Sequence, residues 1–334
     1  MPAHTALRRS ARLVIPVLAL AVLAGCSTGG TAEPGADSDA EWSFTDDTGT
    51  TVTVDHQPER IASYSDYALG LLSNGIEPVA LFGRFDVASD ERFDDYDISD
   101  AAVVGNNYGE IDLEALAETA PDLIVVGIYP TDREGTLDLE GAYYGVADVE
   151  QQEQLEKIAP VVAIEVGGKG SDVIESSNAL AEALGASEED IAAAKETYDT
   201  AAANLTAAAE ESGLEVTQMY ADADGVYVNK PKDDPETELY DSLGVNFTDA
   251  NPDGDFYWDI YSWENAGQMM TGDILLVNVQ GFQEKDLLAQ PTFASHPALA
   301  AGQVYSWNQA ALDYASQAAH MDELAEILRT ANPL

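Results

Sequence analysis

The sequence contains a single cysteine, Cys26, among 334 residues. No disulfide can therefore form within the chain. Positive charge is also scarce, because 14 lysines and arginines stand against 61 aspartates and glutamates, for a formal net charge of −47. A surface of this sign repels phosphate groups, which argues against nucleic acid as a partner.

Short motifs of common enzyme chemistry are missing. The chain has no G-x-S-x-G, H-E-x-x-H or phosphate-binding loop, and no internal repeat of the kind that adhesins carry. Its histidines (His4, His56, His296 and His320) are too scattered to resemble a three-histidine metal site. We predict no catalytic residue, no cofactor and no resident metal. A secreted enzyme remains an alternative because paired carboxylates are present. A metal-ion binding lipoprotein is a second alternative.

Long hydrophobic runs are absent except at the N-terminus. There the twelve apolar residues 13–24, "LVIPVLALAVLA", follow Arg8, Arg9 and Arg12 and are too few for an ordinary membrane span. The next residues complete "LAGC" at Cys26, which resembles the bacterial lipobox, whose cysteine is lipidated and becomes the mature N-terminus. A plain secretory signal with an incidental cysteine is the alternative.

The lipobox predicts the location of the protein. Residues 1–25 are expected to be a lipoprotein signal peptide, and residues 26–41, small, polar and proline-bearing, a flexible tether. We expect the protein on the extracellular face of a cell membrane of Gram-positive type, held by its N-terminal lipid. Loss of three arginines with the signal peptide brings the net charge from −47 to −50. A high-salt habitat is one explanation for such acidity.

The remaining chain alternates strand and helix patterns. Residues 42–170 begin with a hairpin around "TDDTGT" and continue as an α/β lobe. Residues 171–211 are almost wholly helical in pattern and predict a rigid connector, and the alternation resumes over 212–334. The predicted fold class is α/β, with two Rossmann-like lobes joined by helix.

The segment 109–127, "GEIDLEALAETAPDLIVVG", is a small unit of this alternation. Its periodicity predicts a helix capped by Asp112 that buries Leu113, Leu116, Ala117 and Ala120. "LIVVG" after Pro121 predicts a strand buried on both faces. Glu114 and Glu118 lie one turn apart on the outer side, which presents paired carboxylates to water.

Several segments together resemble the substrate-binding lipoproteins that serve ABC importers of iron siderophores, haem and cobalamin. They are "TDDTGTTVTVDHQPERIASYS", "LLSNGIEPVAL", "VGNNYGEIDLEALAETAPDLIVVG", "YSWENAGQMMTGDILLV" and "FASHPALAAGQVYSWN". Their order covers residues 42–328. The resemblance implies the periplasmic-binding-protein class III fold, iron transport as the function, no enzymatic activity, a monomeric state and a small hinge motion rather than a wide one.

The resemblance also implies a docking role for one glutamate on each lobe. "D-L-E" places Glu114 there and "S-W-E" places Glu264, each facing arginines of the permease subunits. Carboxylates on rigid helices give steering and register in such a contact. Glu110 is a competing choice on the first lobe, and favourable placement near a helix N-terminus is the alternative explanation of both acids.

The ligand is expected between the lobes, beyond the carboxyl ends of the strands. Aromatic and cationic residues near the strand ends are the candidates, since rings and a few cations suit a bulky ferric chelate. They are Tyr64, Tyr67, Arg84, Tyr108, Tyr129, Arg133, Tyr143 and Tyr144 on the first lobe, and Tyr227, Lys230, Trp258 and Trp307 on the second.

Net charge favours one chelate class. A strongly anionic triscatecholate would be repelled by this surface, whereas a neutral or cationic hydroxamate complex would not. We therefore expect a ferric siderophore of hydroxamate type, taken up as the intact complex. Haem, cobalamin or another iron chelate are the alternatives within the same family.

Overall fold

The structure is a computed structural model that describes residues 41–334. The predicted signal peptide, Cys26 and the predicted tether up to residue 40 lie outside the described residues. Among residues 41–334, none of the helices combines the length and the apolar character needed to span a bilayer.

The first lobe contains a five-stranded parallel sheet in the order β5-β4-β3-β6-β7, preceded by an antiparallel hairpin of β1 and β2. The strands are β1 (Trp42–Thr45), β2 (Thr51–Val54), β3 (Ile61–Tyr64), β4 (Ala80–Phe82), β5 (Ala102–Gly105), β6 (Leu123–Ile128) and β7 (Val161–Glu165). The helices are α1 (Ser65–Ser73), α2 (Leu113–Glu118), α3 (Val149–Ile158) and α4 (Gly170–Ala183).

Strand β6 shows why this sheet is covered on both faces. All six of its residues are buried. Ile124 and Val126 pack with Leu116 of α2 and Leu155 of α3, whereas Val125 on the opposite face belongs to a core completed by α1 and α4. The strand formed by "LIVVG" is therefore buried on both faces, as its continuous apolar run predicted.

The second lobe has a mixed sheet in the order β11-β9-β8-β12-β13, with β10 paired to β8. Strands β8, β12 and β13 are parallel, and β9 and β11 add an antiparallel edge. The strands are β8 (Glu215–Ala221), β9 (Val226–Asn229), β10 (Asn246–Phe247), β11 (Trp258–Tyr261), β12 (Ile274–Asn278) and β13 (Val304–Trp307). The helices are α6 (Pro235–Ser242), α7 (Trp263–Met269), α8 (Glu284–Leu288), α9 (Pro297–Ala301) and α10 (Tyr314–Thr330).

The helical segment between the sheets is interrupted once. Helix α4 ends before Gly185, whose φ of 99° is in the left-handed region, and α5 (Glu188–Ser212) starts after the cap Ser187. Val173 and Leu180 of α4 pack in the core of the first lobe. Helix α5 instead packs along α10, so the two helices belong to different cores.

The buried face predicted for α2 is only partly right. Asp112 caps the helix, accepting hydrogen bonds from the backbone N–H groups of Glu114 and Ala115. Leu116 is fully buried, but Ala117 and Ala120 are exposed. The helix ends at Glu118, and Ala120 has a φ of 46°, so the helical spacing no longer holds at that residue.

Candidate ligand-binding site

A cavity of about 570 Å³ lies between the lobes, at the carboxyl ends of β4, β6 and β8. Its wall is mainly aromatic, and we call it the aromatic compartment. Its rings are those of Phe85, Tyr129, Tyr144, Tyr220, Phe256, Tyr257 and Trp258. The cavity has the size and lining of a small-molecule site.

Tyr144 is the centre of the tyrosines on the first lobe. Its ring centroid lies 4.6 Å from that of Tyr129, 5.3 Å from Tyr108 and 5.5 Å from Tyr64. Gly145 allows this approach, because it has a φ of 93° and a Cβ there would lie 2.4 Å from the Tyr64 ring. The tyrosines predicted separately from strand ends thus form one packed group.

Arg84 follows β4 and faces these rings. Its Nη1 donates to the Tyr144 hydroxyl at 3.0 Å, and its guanidinium carbon lies 5.0 Å from the centroid of Phe85. Burial lowers the pKa of Arg84, but the Asp66 carboxylate at 3.8 Å and the neighbouring tyrosine hydroxyls together outweigh burial and raise the pKa overall. Arg84 is therefore a permanent cation whose Nε has no hydrogen-bond partner within residues 41–334.

Asp66 lies between two arginines, Arg84 and Arg92, below the rings. Its Oδ1 lies 2.8 Å from Arg92, which also contacts Asp90 at 2.6 Å. Burial raises the pKa of Asp66, but Arg92 and then Arg84 lower it more, and the pKa is lowered overall. This arrangement keeps Asp66 ionised and holds Arg84 beside the cavity.

A smaller inner cavity of about 70 Å³ lies beneath the aromatic compartment and shares Arg84, Tyr129, Tyr257 and Gln309 with it. Tyr67 lines this inner cavity from the first lobe, and its ring centroid lies 5.9 Å from that of Tyr64. Carboxylates of both lobes reach the same space, namely Asp66 from the first lobe and Asp234, Glu236 and Asp313 from the second.

Glu236 is the most perturbed of these carboxyl groups. Burial, reinforced by Asp234, raises its pKa to about 7. It accepts hydrogen bonds from the Ala310 backbone at 2.9 Å and from Gln218 and Trp307, each at 3.2 Å. Glu236 thereby fixes the loop after β13 that carries Gln309 to the cavity.

Tyr257 has a strained backbone at the boundary between the two cavities. Its φ of 73° is in the left-handed region, which is uncommon for a bulky residue. The backbone N–H donates to Asp233 at 3.0 Å and the hydroxyl to Asp234 at 2.8 Å. These bonds hold the ring in the cavity wall.

Arg133 lies across the lobes instead of on the wall of either cavity described so far. Its guanidinium makes a bidentate contact with the fully buried carboxylate of Asp233, with distances of 2.7 and 2.8 Å. It also donates to the Asp255 carbonyl at 3.0 Å. Arg133 of the first lobe therefore forms an ion pair with the second lobe.

The other candidates of the second lobe fall into two groups. Trp258 lines the aromatic compartment, and the ring of Tyr227 packs 6.4 Å from it. Lys230 is buried, with its Nζ donating to the carbonyls of Asn251 and Asp255 and lying 3.3 Å from Asp259. Trp307 is buried and contacts the site only through Glu236.

The remaining candidates lie outside the cavities described. Tyr108 is half exposed at the rim of the tyrosine group. Tyr143 lies outside the cavities described, in the core between the first sheet and α3. Glu114 and Glu264 are exposed in the first turns of α2 and α7.

Some wall residues were absent from the predicted set. Phe85 directly follows Arg84, so the same strand-end rule would have included it. Phe256 lies two residues before the predicted Trp258, and Gln309 lies two residues after the predicted Trp307. Tyr220 lies inside β8, and no local pattern distinguishes it from a core tyrosine.

The cleft lies at the strand ends of two α/β lobes, which is where ligands bind to open α/β sheets. A family model described as periplasmic binding protein matches residues 61–311, and the chain belongs to that family. The family expectation drawn from the sequence, that of the binding proteins of iron-siderophore importers, is confirmed, as is the two-lobed fold. Proteins of this family bind solutes.

Solved structures agree with this assignment. The ferric-siderophore receptor DesE of Streptomyces coelicolor is 30% identical, with a TM-score of 0.76 over 88% of this chain and 99% of its own. A siderophore periplasmic binding protein from the fuscachelin gene cluster of Thermobifida fusca is 26% identical, with a TM-score of 0.61 over 82% and 97%. Staphylococcus aureus SirA, 20% identical with a TM-score of 0.62 over 86% and 98%, shares the fold. No curated protein sequence matches the chain.

Proposed function

We propose that this protein captures an intact ferric siderophore of hydroxamate type in the aromatic compartment and delivers it to an ABC importer. The observation that carries the proposal is the packing of Arg84 among Tyr144, Phe85 and their neighbouring rings, between two lobes. Rings supply contact area to a bulky chelate, and a guanidinium bonds its oxygen atoms. The similarity to DesE, a ferric-siderophore receptor, supports the same ligand class.

Charge supports the hydroxamate type. Arg92, Arg133 and Lys230 lie within 3.3 Å of carboxylates, whereas Arg84 lies 3.8 Å from Asp66, which also pairs with Arg92. Arg84 is therefore the least neutralised of these cations, and it faces the rings of the described wall. A triscatecholate complex is strongly anionic and would meet one such cation on a chain of net charge −47. A neutral trihydroxamate complex needs no further countercharge.

Delivery requires contact with the permease subunits. Glu114 and Glu264 are suited to it because each is exposed and lies at the start of a helix on a different lobe. Their spacing is set by rigid elements, so together they define one orientation of the protein on an importer.

Anchoring by Cys26 completes the proposal. A lipid on this cysteine would keep a monomeric binding protein at the extracellular membrane face, with a short polar tether before residue 42. The Cys26→Ser variant should appear in the medium or accumulate as uncleaved precursor. Cell fractionation and mass spectrometry of the protein distinguish these outcomes. A variant that matures normally and stays membrane-bound would contradict lipidation.

The ligand is tested by thermal unfolding against ferric hydroxamates, ferric catecholates, ferric citrate, haem, cobalamin and ferric ion alone. Ligand binding to the folded state raises the midpoint by mass action. We expect the largest rise with a ferric hydroxamate and none with ferric ion alone. A larger rise with haem, cobalamin or a catecholate would overturn the proposed ligand class.

A further inference from the structure

The loop before β11 carries rings of the cleft wall. It spans residues 248–257, between β10 and β11, and we call it the aromatic loop. Phe256 and Tyr257 lie at its end, and Trp258 follows as the first residue of β11. All three rings line the aromatic compartment. The position of the aromatic loop therefore decides much of the wall that the second lobe supplies.

Two buried charges of the second lobe hold the aromatic loop. Lys230 Nζ donates to the carbonyls of Asn251 at 2.6 Å and Asp255 at 3.0 Å. Asp233 Oδ2 accepts from the backbone N–H of Tyr257 at 3.0 Å. Lys230 and Asp233 are only 2% and 4% exposed, so their charges act on protein groups and not on a ligand.

Arg133 of the first lobe binds the same two acceptors. The Asp233 Oδ2 atom that accepts from Tyr257 also accepts from Arg133 Nε at 3.0 Å and Nη2 at 2.8 Å. The Asp255 carbonyl that accepts from Lys230 also accepts from Arg133 Nη2 at 3.0 Å. Each acceptor of Arg133 on the second lobe is therefore also a support of the aromatic loop.

The turn that presents Arg133 is closed by its own hydrogen bonds. Within residues 130–137, the Thr131 N–H donates to the Thr136 carbonyl at 2.8 Å, and the Thr136 N–H donates to Asp132 Oδ1 at 2.9 Å. A turn that is already ordered loses little entropy when Arg133 contacts the other lobe.

Backbone strain at Tyr257 makes the support necessary. Its φ of 73° is rare for a bulky residue, and such a conformation persists only where surrounding contacts over-determine it. Asp233 supplies one of these contacts and Asp234 the other, through the Tyr257 hydroxyl. Without Arg133, the Asp233 carboxylate is a buried charge that has lost its cation, which favours its movement toward water and away from the Tyr257 N–H.

We propose that Arg133 is a positioning residue that reaches across the cleft and sets the place of the aromatic loop. The ring wall of the second lobe is then complete only while the first lobe contacts it through Arg133. Contact between the lobes and formation of the binding surface are thereby linked, whichever solute the cleft holds.

Amide hydrogen exchange of the ligand-free protein, followed by mass spectrometry, tests the inference. Exchange in peptides that cover residues 248–258 reports local opening of the aromatic loop. We expect Arg133→Ala to speed this exchange by about tenfold, the factor of one hydrogen bond to a charged group. Exchange in β8 and β12 should stay as in the unaltered protein. Arg133→Lys keeps the positive charge and should restore part of the protection.

Glu134→Ala is the matched control, because Glu134 is the next residue of the same turn and is exposed. It should leave exchange of the aromatic loop unchanged. Unchanged exchange of the loop in Arg133→Ala would overturn the inference. A rise of equal size throughout the second lobe would also overturn it, because that result indicates general destabilisation. Since no ligand is present, neither result depends on the proposed function.

Discussion

Both lobes supply rings to the cleft, but they differ in how their charged side chains are used. The first lobe supplies the rings of Tyr129 and Tyr144 and a cation, Arg84, that faces them. The second supplies buried carboxylates, of which Asp233 holds Arg133 and Glu236 holds the loop after β13. The charge of Arg84 on the first lobe therefore faces the aromatic compartment, whereas these two carboxylates of the second lobe hold protein groups in place.

The carboxylate side of this comparison predicts a pH dependence of stability. The pKa of Glu236 is raised to about 7 from an ordinary 4.5, so the folded state binds a proton that the unfolded state has lost between these values. Stability should fall as pH rises from about 4.5 to 7, by about 3 kcal/mol at 1.36 kcal/mol per pKa unit. Glu236→Gln should remove this contribution, measured as urea unfolding across the window. Parallel pH profiles for the two proteins would contradict it.

The cationic side predicts the largest change in affinity. Arg84→Ala should weaken binding of the best ferric hydroxamate by about ten- to a hundredfold, since a hydrogen bond to a charged group contributes roughly 1.5–3 kcal/mol. Tryptophan fluorescence titration measures the change. Arg329→Ala, on the exposed last turn of α10, is the control and should bind normally. Wild-type affinity in a folded Arg84→Ala protein would remove Arg84 from the ligand site.

The ion pair between Arg133 and Asp233 predicts a smaller effect, which should be the same for every ligand. Arg133→Ala leaves the buried Asp233 carboxylate without its cation. We expect the free energy of unfolding to fall only modestly, because Arg133 is partly exposed and the pair is therefore partly screened by solvent. Ligand should dissociate faster in stopped-flow chase experiments. If neither quantity changes, the ion pair does not hold the lobes.

The rim glutamates should have the smallest effect on the isolated protein. Glu114→Arg and Glu264→Arg are expected to leave ligand affinity unchanged, because neither residue lines a cavity described here. Uptake of the iron complex by cells should drop, and the double variant should be worse than either. Glu118→Arg, one turn along α2, is the control. Normal uptake by the double variant would leave both as ordinary acids at helix starts.

Much of the fold was predictable because strand and helix patterns are local. The buried run of β6, the Asp112 cap and the helix break near Gly185 are each visible in a few consecutive residues. The antiparallel edge strand β11 was not predicted, since its pairing with β9 depends on a contact across about thirty residues. The prediction that Ala120 belongs to the buried face of α2 was wrong, because the helix ends two residues before Ala120.

Less of the candidate site than of the fold could be predicted from the sequence. The strand-end rule found Arg84, Tyr129, Tyr144 and Trp258, which the structure brings to one cavity. It could not distinguish Arg84 from Arg133 or Lys230, because all three follow strands. Which cation faces the cavity depends on where the carboxylates of the other elements lie.

The sequence alone determined the acidity, the alternation of strand and helix and the family, and it predicts an export signal, because each depends on local order or composition. Only the tertiary structure decided that Asp233 pairs with Arg133, that Asp66 lies between two arginines and that rings of both lobes meet in one cavity. The physical reason is distance. Coulomb and hydrogen-bond energies depend on separations of a few ångströms between residues that lie up to a hundred positions apart in the chain.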